Sequence, residues 1–320
     1  MRVFVAGATG VVGKPLVSAL IAAGHEVTGT TRSPGKATEL HDLGATPVIV
    51  DGLDRHAVLD AVKAAQPEVI VHQMTALVGL RSLRNFDRQF AATNELRTRG
   101  TDYLLEAARR AGTPRFIAQS YIGWNNLGSA GGVSTESDPL DPRPLPSTQQ
   151  TLAAVRHVEQ AVPAAVPEGL VLRYGPFYGH GASDAMLDAV RKRQLPVIGG
   201  GMGVWSFCEV TDAAAATAAA ITRGAPGIYN IVDDDPAPVR EWLPGLSESL
   251  GAKPPMRAPA WLGRILAGPV AVALMTEARG AANDKAKREL GWAPRYGSWR
   301  DGFPAWAQAY LAGRARHASV

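Results

Sequence analysis

The sequence predicts an α/β protein with a doubly wound parallel sheet, and three features carry that prediction. Short apolar runs alternate with stretches of helical periodicity through roughly the first 175 residues. A glycine-rich turn joins the first apolar run to the first helix. The helical stretches between the runs are what right-handed crossovers between parallel strands require. At 320 residues, the chain is long enough to bury a large core.

The first strand is predicted at residues 3–5, a Val-Phe-Val run typical of a buried parallel strand. A glycine turn follows, then a helix, and the segment HEVTGT forms the second strand. This order is the context of a dinucleotide-binding fingerprint, in which glycines let a pyrophosphate approach backbone N–H groups at a helix N-terminus. We expect the turn to bind the nucleotide through Gly7, Thr9, Gly10, Val11, Val12 and Gly13.

The end of the second strand indicates which dinucleotide binds. NAD sites usually place an acidic residue there to hold the ribose 2′-hydroxyl. Here the strand ends Thr30-Thr31-Arg32-Ser33, without an acid. A guanidinium and two hydroxyls suit a 2′-phosphate instead. The sequence therefore predicts NADP(H) in preference to NAD(H), with Thr31, Arg32 and Ser33 around the phosphate.

The alternation continues along the chain. TPVIVDGLD forms a third strand, residues 55–66 a helix, EVIVHQM a fourth strand, residues 93–111 a long helix, RFIAQS a fifth strand and GLVLRYG a sixth. Asp51 is predicted to meet the adenine edge. The residues expected to border the nucleotide at the ends of these strands are Asp51, Gly52, Leu53, Gln73, Met74, Thr75 and Tyr174.

Beyond Pro176 the alternation loosens, and we expect a smaller, mostly helical substrate-binding region. Residues 1–175 are predicted as the Rossmann-type nucleotide domain, completed by about 207–235; residues 176–206 and 236–320 form the substrate region. Its aromatic residues favour a small apolar substrate over a nucleotide sugar, whose diphosphate needs basic and polar groups. The candidate substrate-binding residues are Trp124, Phe177, Tyr178, His180, Trp205 and Glu209.

Composition argues against several other functions. The net charge of +4 is spread along the chain, so nucleic-acid binding has little support. The longest apolar run, residues 265–276, is too short to span a bilayer. One cysteine and a start that leads directly into a strand predict a reducing, cytoplasmic location. The seven histidines show no spacing typical of a metal site.

Several segments together resemble the extended short-chain dehydrogenase/reductase superfamily, in its NAD-dependent epimerase/dehydratase group. They are Gly7-x-x-Gly10-x-x-Gly13, VIVHQMTA, GTDYLLEAARRAGTPRFIAQS, LRYGPFYGHG, WSFCEVTDAAAAT, GIYNIVDDD and KAKRELGWAP. The resemblance covers nearly the whole chain and implies the fold. It does not specify the reaction, because one scaffold hosts dehydrogenation, epimerisation and dehydration.

The resemblance also implies a catalytic set that this chain lacks. The family uses a Ser or Thr on the fifth strand, a Tyr, and a Lys four residues later, which lowers the pKa of the phenol. Ser147 and Thr151 stand where the Tyr and Lys belong, and no Tyr-x-x-x-Lys occurs in the sequence. Tyr121 stands at the usual serine position, preceded by Ser120. These four residues are the candidate catalytic groups, with Tyr121 first as a neutral proton donor.

Three functions stay open from the sequence. The first is an NADP(H)-dependent reductase of a carbonyl or conjugated alkene on a small, mostly apolar molecule. The second is an epimerase, dehydratase or isomerase that uses the nucleotide non-stoichiometrically, and the third is an inactive NADP(H)-sensing protein. The resemblance also implies a possible homodimer through the helices at residues 93–111 and 147–162.

Overall fold

A computed structural model describes residues 1–77, 83–122 and 132–318, so the candidate Trp124 lies outside the described residues. The helices are α1 (Gly13–Ala22), α2 (Pro34–Asp42), α3 (Arg55–Ala65), α4 (Phe86–Glu95), α5 (Thr101–Ala111), α6 (Gln149–Ala165), α7 (Asp184–Arg191), α8 (Val210–Ala220), α9 (Val239–Ser249), α10 (Ala260–Leu266), α11 (Pro269–Thr276), α12 (Asp284–Leu290) and α13 (Trp299–Ala318). A π-helical turn, Leu96–Gly100, joins α4 to α5, and a 3-10 turn, Pro146–Thr148, precedes α6.

The strands of the main sheet are β1 (Arg2–Ala6), β2 (Glu26–Thr31), β3 (Thr46–Ile49), β4 (Val69–His72), β5 (Arg115–Tyr121), β7 (Glu168–Tyr174) and β12 (Gly227–Ile231). Two-residue strands lie between and after them: β6 (Val133–Ser134), β8 (Phe177–Tyr178), β9 (Val197–Ile198), β10 (Val204–Trp205), β11 (Cys208–Glu209), β13 (Ala237–Pro238), β14 (Arg257–Ala258) and β15 (Gly280–Ala281).

The main sheet has seven parallel strands in the order β12-β7-β5-β4-β1-β2-β3. The chain runs outward from β1 to β3, then returns to place β4 on the other side of β1. In such sheets a crevice opens beyond the carboxyl ends of the strands where the order reverses, here between β1 and β4. The predicted doubly wound parallel sheet is confirmed.

Apolar side chains cover both faces of the sheet. One cluster joins it to α1, α8 and α12, and includes Leu16, Val17 and Leu290; the other joins it to α3, α5 and α6. A third cluster lies in the smaller, mostly helical C-terminal part and gathers Trp242, Trp299, Phe303 and others from α9 and α13. The division of the chain into nucleotide and substrate regions remains a prediction.

The long helix predicted at residues 93–111 begins earlier, at Phe86, and passes through the π turn before α5. The earlier start has a packing reason, because Phe86 and Phe90 lie in a buried cluster with Val270 and Leu274 of the C-terminal part. In the described part of the chain, none of the helices combines the length and apolarity needed to cross a bilayer.

Candidate active site at the carboxyl edge of the sheet

The glycine turn between β1 and α1 is fixed to the neighbouring strand β2. Gly7 has φ of 88°, a left-handed conformation that disfavours side chains. Its N–H donates to Thr30 Oγ1 at 3.0 Å, and the Ala8 N–H donates to the Thr30 carbonyl at 3.2 Å. The Gly10 N–H closes the turn onto the Gly7 carbonyl at 3.0 Å. The path of the backbone is therefore set before any ligand binds.

The first and third glycines also make room for close backbone contacts. A Cβ on Gly7 would lie 2.8 Å from the backbone carbon of Gln73, at the end of β4. A Cβ on Gly13 would lie 2.3 Å from the Gly7 carbonyl oxygen and 2.7 Å from Ala8. Both distances are far below van der Waals contact, so only glycine permits α1 to start this close to β1 and β4.

The amino end of α1 suits an anionic group. No side chain caps it, and its first turn carries no acidic residue. The first N–H groups of a helix lack intrahelical partners and carry the positive end of the helix dipole, so they bind phosphates readily. Val11 is exposed beside this end, and Val12 is buried beneath it. The glycine turn and this helix end fit the pyrophosphate of a dinucleotide.

At the end of β2, a buried threonine holds the backbone while its neighbours face solvent. Thr31 Oγ1 accepts bonds from the Ser33 N–H at 3.2 Å and from Thr9 Oγ1 at 3.4 Å. Arg32 and Ser33 are exposed, and within the described ranges Arg32 makes no ion pair. At the end of β3, Asp51 Oδ1 accepts the Leu53 N–H at 3.0 Å.

The predicted residues after β4 face in different directions. Gln73 donates to the Tyr174 hydroxyl at 2.8 Å, and that hydroxyl also meets Thr217 Oγ1 at 2.7 Å. Tyr174 is buried, so its side chain belongs to the core beneath the sheet edge. Met74 is buried, and Thr75 is partly exposed. The backbone of Gln73, rather than its side chain, is the part that borders the glycine turn.

His72, the last residue of β4, is a neutral structural residue. Its Nδ1 accepts the Met74 N–H at 3.2 Å, which leaves the proton on Nε2, 3.2 Å from the Leu96 carbonyl that accepts it. Burial is the main cause that lowers the pKa of His72 to about 4. The imidazole therefore ties β4 to the π turn.

Ser120 and Tyr121 end β5, next to β4 in the sheet. Ser120 Oγ donates to Glu159 Oε1 at 2.9 Å. The same carboxylate receives two bonds from Arg173, each of 2.7 Å, and all three residues are buried. Ser120 is thus held by an ion pair within the protein, and Tyr121 follows it at the edge of the sheet.

Tyr121 carries a neutral phenol at ordinary pH. Burial raises the pKa of the Tyr121 phenol above its usual value, and the opposing influence of the Arg97 guanidinium is smaller. Arg97 is itself buried in the π turn, where Nε and Nη1 have no hydrogen-bond partner among the described residues. Burial lowers the pKa of Arg97 to about 10, so it remains a cation at neutral pH. A buried cation beside a protonated phenol favours negative charge developing on a bound molecule.

The two residues at the family's Tyr and Lys positions have local partners. Thr151 Oγ1 donates to Asp87 Oδ1 at 2.7 Å and accepts from Asn94 Nδ2 at 3.0 Å. Asp87 also accepts the Thr151 N–H at 2.8 Å and so caps α6. Ser147 Oγ is buried and has no hydrogen-bond partner in the described residues.

The candidate substrate-binding residues lie in different surroundings. Trp205 faces the cavity described below and donates from Nε1 to the Leu274 carbonyl at 2.9 Å. Phe177 is partly exposed and packs against Tyr174, with ring centroids 5.3 Å apart. Tyr178 is buried against Phe303, with centroids 5.3 Å apart.

His180 and Glu209 also differ in their surroundings. His180 is exposed. The Glu209 carboxylate caps α8, where it accepts the Thr211 N–H at 2.6 Å and the Asp212 N–H at 3.2 Å. Arg173 pairs with Glu159 rather than with any residue of this segment.

An apolar cavity of about 160 Å³ opens beside Tyr121. Its wall combines the end of β5 with segments of the C-terminal part, and nearly all of the lining surface is apolar. The lining residues are Leu83, Tyr121, Ile122, Pro176, Val204, Trp205, Ser206, Leu274, Ala278, Arg279 and Ala281. A cavity at the carboxyl edge of a parallel sheet, next to the predicted nucleotide crevice, is where such folds bind substrates.

Several residues of this site were not predicted. Glu159 shares the buried face of α6 with Leu152 and Val155, and an acid at that helical spacing signals a buried ion pair. Arg97 is buried next to Leu96 in the π turn, and no such spacing marks it, because adjacent positions do not share a helix face. Asp87 and Arg279 gave no comparable signal, because one lies at a helix start and the other in a short irregular stretch. Residues 1–77, 83–122 and 132–318 hold no cluster of metal-binding side chains.

Comparison with known proteins supports the same family. Residues 3–232 match the model of the NAD dependent epimerase/dehydratase family. A Streptomyces protein named 3-diazoavenalumate denitrifying reductase is 46% identical over 94% of this chain and 99% of its own length. A Stigmatella aurantiaca protein, named as a ketoreductase of a farnesylated dihydroquinoline N-oxide, is 31% identical over 98% of both chains.

Solved structures share the fold at lower identity. A human epimerase family protein, crystallised with NADPH, has a TM-score of 0.75 at 21% identity, covering 96% of this chain and 99% of its own. The UDP-glucose 4-epimerase of Thermus thermophilus in complex with NAD has a TM-score of 0.74 at 24% identity, covering 97% and 99%. The family match spans residues 3–232, which is well over half of the chain and includes nearly all of the main sheet. The chain therefore belongs to the NAD-dependent epimerase/dehydratase family.

Proposed function

We propose that this protein is an NADP(H)-dependent reductase of a small, mostly apolar molecule. The observation that carries the proposal is the apolar cavity whose wall includes Tyr121, at the same sheet edge as the glycine turn. Two curated relatives of similar length are named as reductases, which supports the class of reaction. Bound NADPH supplies a hydride, and the protein supplies position and electrostatics.

The preference for NADPH rests on the end of β2. The exposed Arg32 has no ion-pair partner in the described part of the chain, and Ser33 beside it begins α2 without using its side chain as a cap. Both are therefore free to meet a 2′-phosphate. For Arg32→Gln we expect NADPH affinity to fall roughly tenfold while NADH affinity stays unchanged, because a charged hydrogen bond contributes about 1.5–3 kcal/mol. Fluorescence titration measures both, and an equal loss for the two nucleotides would contradict the assignment.

In the reduction of a carbonyl, Tyr121 is the proton donor in this proposal. The phenol stays protonated, so it donates to oxygen as negative charge develops there, and the nearby Arg97 cation stabilises that charge. A protonated phenol is a poor base, so reduction is favoured over alcohol oxidation. Ser120 takes no part in the proton transfer, because its hydroxyl is held by Glu159.

A second acceptor, an aryl diazonium group, is favoured by the relative at 46% identity, whose name includes denitrifying reduction of a diazo compound. In the net reaction a hydride forms a C–H bond, the C–N bond breaks, and N₂ leaves with the bonding electrons. No proton is required. The loss of the family's Tyr and Lys is therefore tolerable for this reaction, whereas carbonyl reduction still needs a donor.

Tyr121→Phe separates the two acceptors. The variant keeps the ring and removes only the hydroxyl. We expect it to lower kcat for ketone or enone reduction by about 10²-fold, because general acid catalysis contributes 10²–10⁴-fold. The kcat for reduction of an aryl diazonium salt should change less than threefold, because that reaction requires no proton. The assay is NADPH oxidation matched to product formation.

Two results of this comparison would count against the proposal. Equal effects on both acceptors would show that Tyr121 acts through packing. Absence of NADPH oxidation with every acceptor would favour the epimerase, dehydratase or sensor alternatives. Tyr310→Phe, at a partly buried position of α13 where the hydroxyl donates to Asp188, is the matched control for loss of a phenol hydroxyl.

A further inference from the structure

The apolar cavity beside Tyr121 contains one strongly charged side chain within its described wall, Arg279. Arg279 lines the cavity together with Trp205, Leu274 and Ala278, and its Nε is buried without a hydrogen-bond partner among the described residues. A buried N–H group without a partner costs free energy, so such a group is usually satisfied by a ligand or by water.

The ion pair that Arg279 does make is weak. Nη1 lies 3.4 Å from Asp138 Oδ1, at the long end for a charged hydrogen bond. Asp138 is mainly engaged elsewhere, since its Oδ2 accepts the Thr135 N–H at 2.8 Å and the Thr135 hydroxyl at 3.0 Å. Arg279 therefore retains donor capacity, and its partly exposed side chain lines the cavity.

The backbone that carries Arg279 is fixed. The next residues, Gly280–Ala281, pair with Val133–Ser134, and the Ala281 N–H donates to Ser206 Oγ at 2.8 Å. A Cβ on Gly280 would lie 2.8 Å from Pro236 and 3.0 Å from Val204, so this segment packs directly on the cavity wall. A guanidinium on a fixed backbone loses less entropy when it binds a planar anion.

We propose that Arg279 binds the carboxylate of an aryl or alkenyl carboxylic acid, whose apolar body lies along Trp205, Leu274 and Ile122. Arg279 and Tyr121 line the same cavity, so an acid held by the guanidinium has its reducible group in the space that Tyr121 faces. A guanidinium offers two parallel N–H donors to a carboxylate, and the surrounding apolar surface strengthens that pair. This inference rests on the proposed reductase function and specifies its substrate class.

The test compares a charged ligand with its neutral counterpart. Cinnamate and cinnamamide have nearly the same shape, and only cinnamate carries a carboxylate. Isothermal titration calorimetry on the full chain measures both, first without and then with saturating NADP⁺. We expect cinnamate to bind wild-type protein at least tenfold more tightly than cinnamamide. In Arg279→Gln that preference should disappear through loss of cinnamate affinity, with cinnamamide binding unchanged.

Controls make each outcome decisive. Arg288→Gln removes an exposed guanidinium on α12 and should keep the full preference for cinnamate. Unchanged cinnamamide binding in Arg279→Gln shows that the cavity is intact. Equal binding of the two ligands to wild type, a preference that survives in Arg279→Gln, or no binding of either ligand would overturn the proposal. The nucleotide titration on the same samples is independent. Absence of nucleotide binding would contradict the reductase proposal without changing the result for carboxylate binding.

Discussion

Substitution of Gly13 by alanine tests whether the glycine turn is a nucleotide site. The added Cβ would lie 2.3 Å from the Gly7 carbonyl oxygen and 2.7 Å from the carbonyl group of Ala8. Ordinary contact begins near 3.4 Å, so the start of α1 has to move away from the turn by about 1 Å. That movement displaces the N–H groups that would hold the pyrophosphate.

The expected loss follows from those N–H groups. Each hydrogen bond to a charged group contributes about 1.5–3 kcal/mol, so misplacing two of them weakens NADPH binding by at least 100-fold. Gly10→Ala gives a graded comparison, because its Cβ would meet only the Gly7 carbonyl, at 3.2 Å. We expect Gly10→Ala to change affinity only a few-fold. Fluorescence titration with NADPH measures all three proteins.

A control separates binding from folding. Gly313→Ala makes the same chemical change in α13, where the added Cβ meets nothing within 4 Å, and it should leave binding unchanged. Thermal unfolding of each variant identifies general destabilisation. Wild-type affinity in a folded Gly13→Ala variant would refute the assignment of the turn to the nucleotide.

Two further predictions concern the groups under the site. His72 has a folded pKa of about 4, below its ordinary 6.5, so its contribution to stability is present above pH 6.5 and lost as the pH falls toward 4. Between pH 6.5 and 4, the free energy of unfolding of His72→Gln should therefore change by about 3 kcal/mol less than that of the wild type, as measured by chemical denaturation. An identical pH dependence in the two proteins would contradict the buried neutral state. Glu159→Gln leaves Arg173 buried without its counter-charge and should lower the free energy of unfolding by about 3–5 kcal/mol. Glu68→Gln, in an exposed ion pair, should lower the free energy of unfolding much less. Equal losses would show that burial of the Glu159–Arg173 pair is unimportant.

The fold was predictable because its signals are local. Three local features each specify one element: Val-Phe-Val at residues 3–5, the three glycines and the helical spacing after them. Their order along the chain specifies the crossover. The confirmed doubly wound parallel sheet follows from the same alternation. Gly7 and Gly13 were predictable for a physical reason, since close backbone approach leaves no alternative residue.

The interior of the site was less predictable, because it depends on contacts between distant parts of the chain. Ser120 meets Glu159 across 39 positions of sequence, and Thr151 meets Asp87 across 64. Arg279 lies beside β15, which is held by pairing with the distant β6. No periodicity or spacing encodes such contacts. Tyr121 could be predicted from its position at a strand end, whereas the charges around it could not.

The central claim is stoichiometric hydride transfer, and one measurement tests it most directly. The protein is incubated with NADPH carrying deuterium at the transferable position and with a panel of ketones, enones and aryl diazonium salts. We predict that one acceptor is reduced with one equivalent of NADPH oxidised and one deuterium found in the product. NADPH binding without net oxidation, or product formation without deuterium, would contradict it and identify a protein that binds the nucleotide without reducing a substrate.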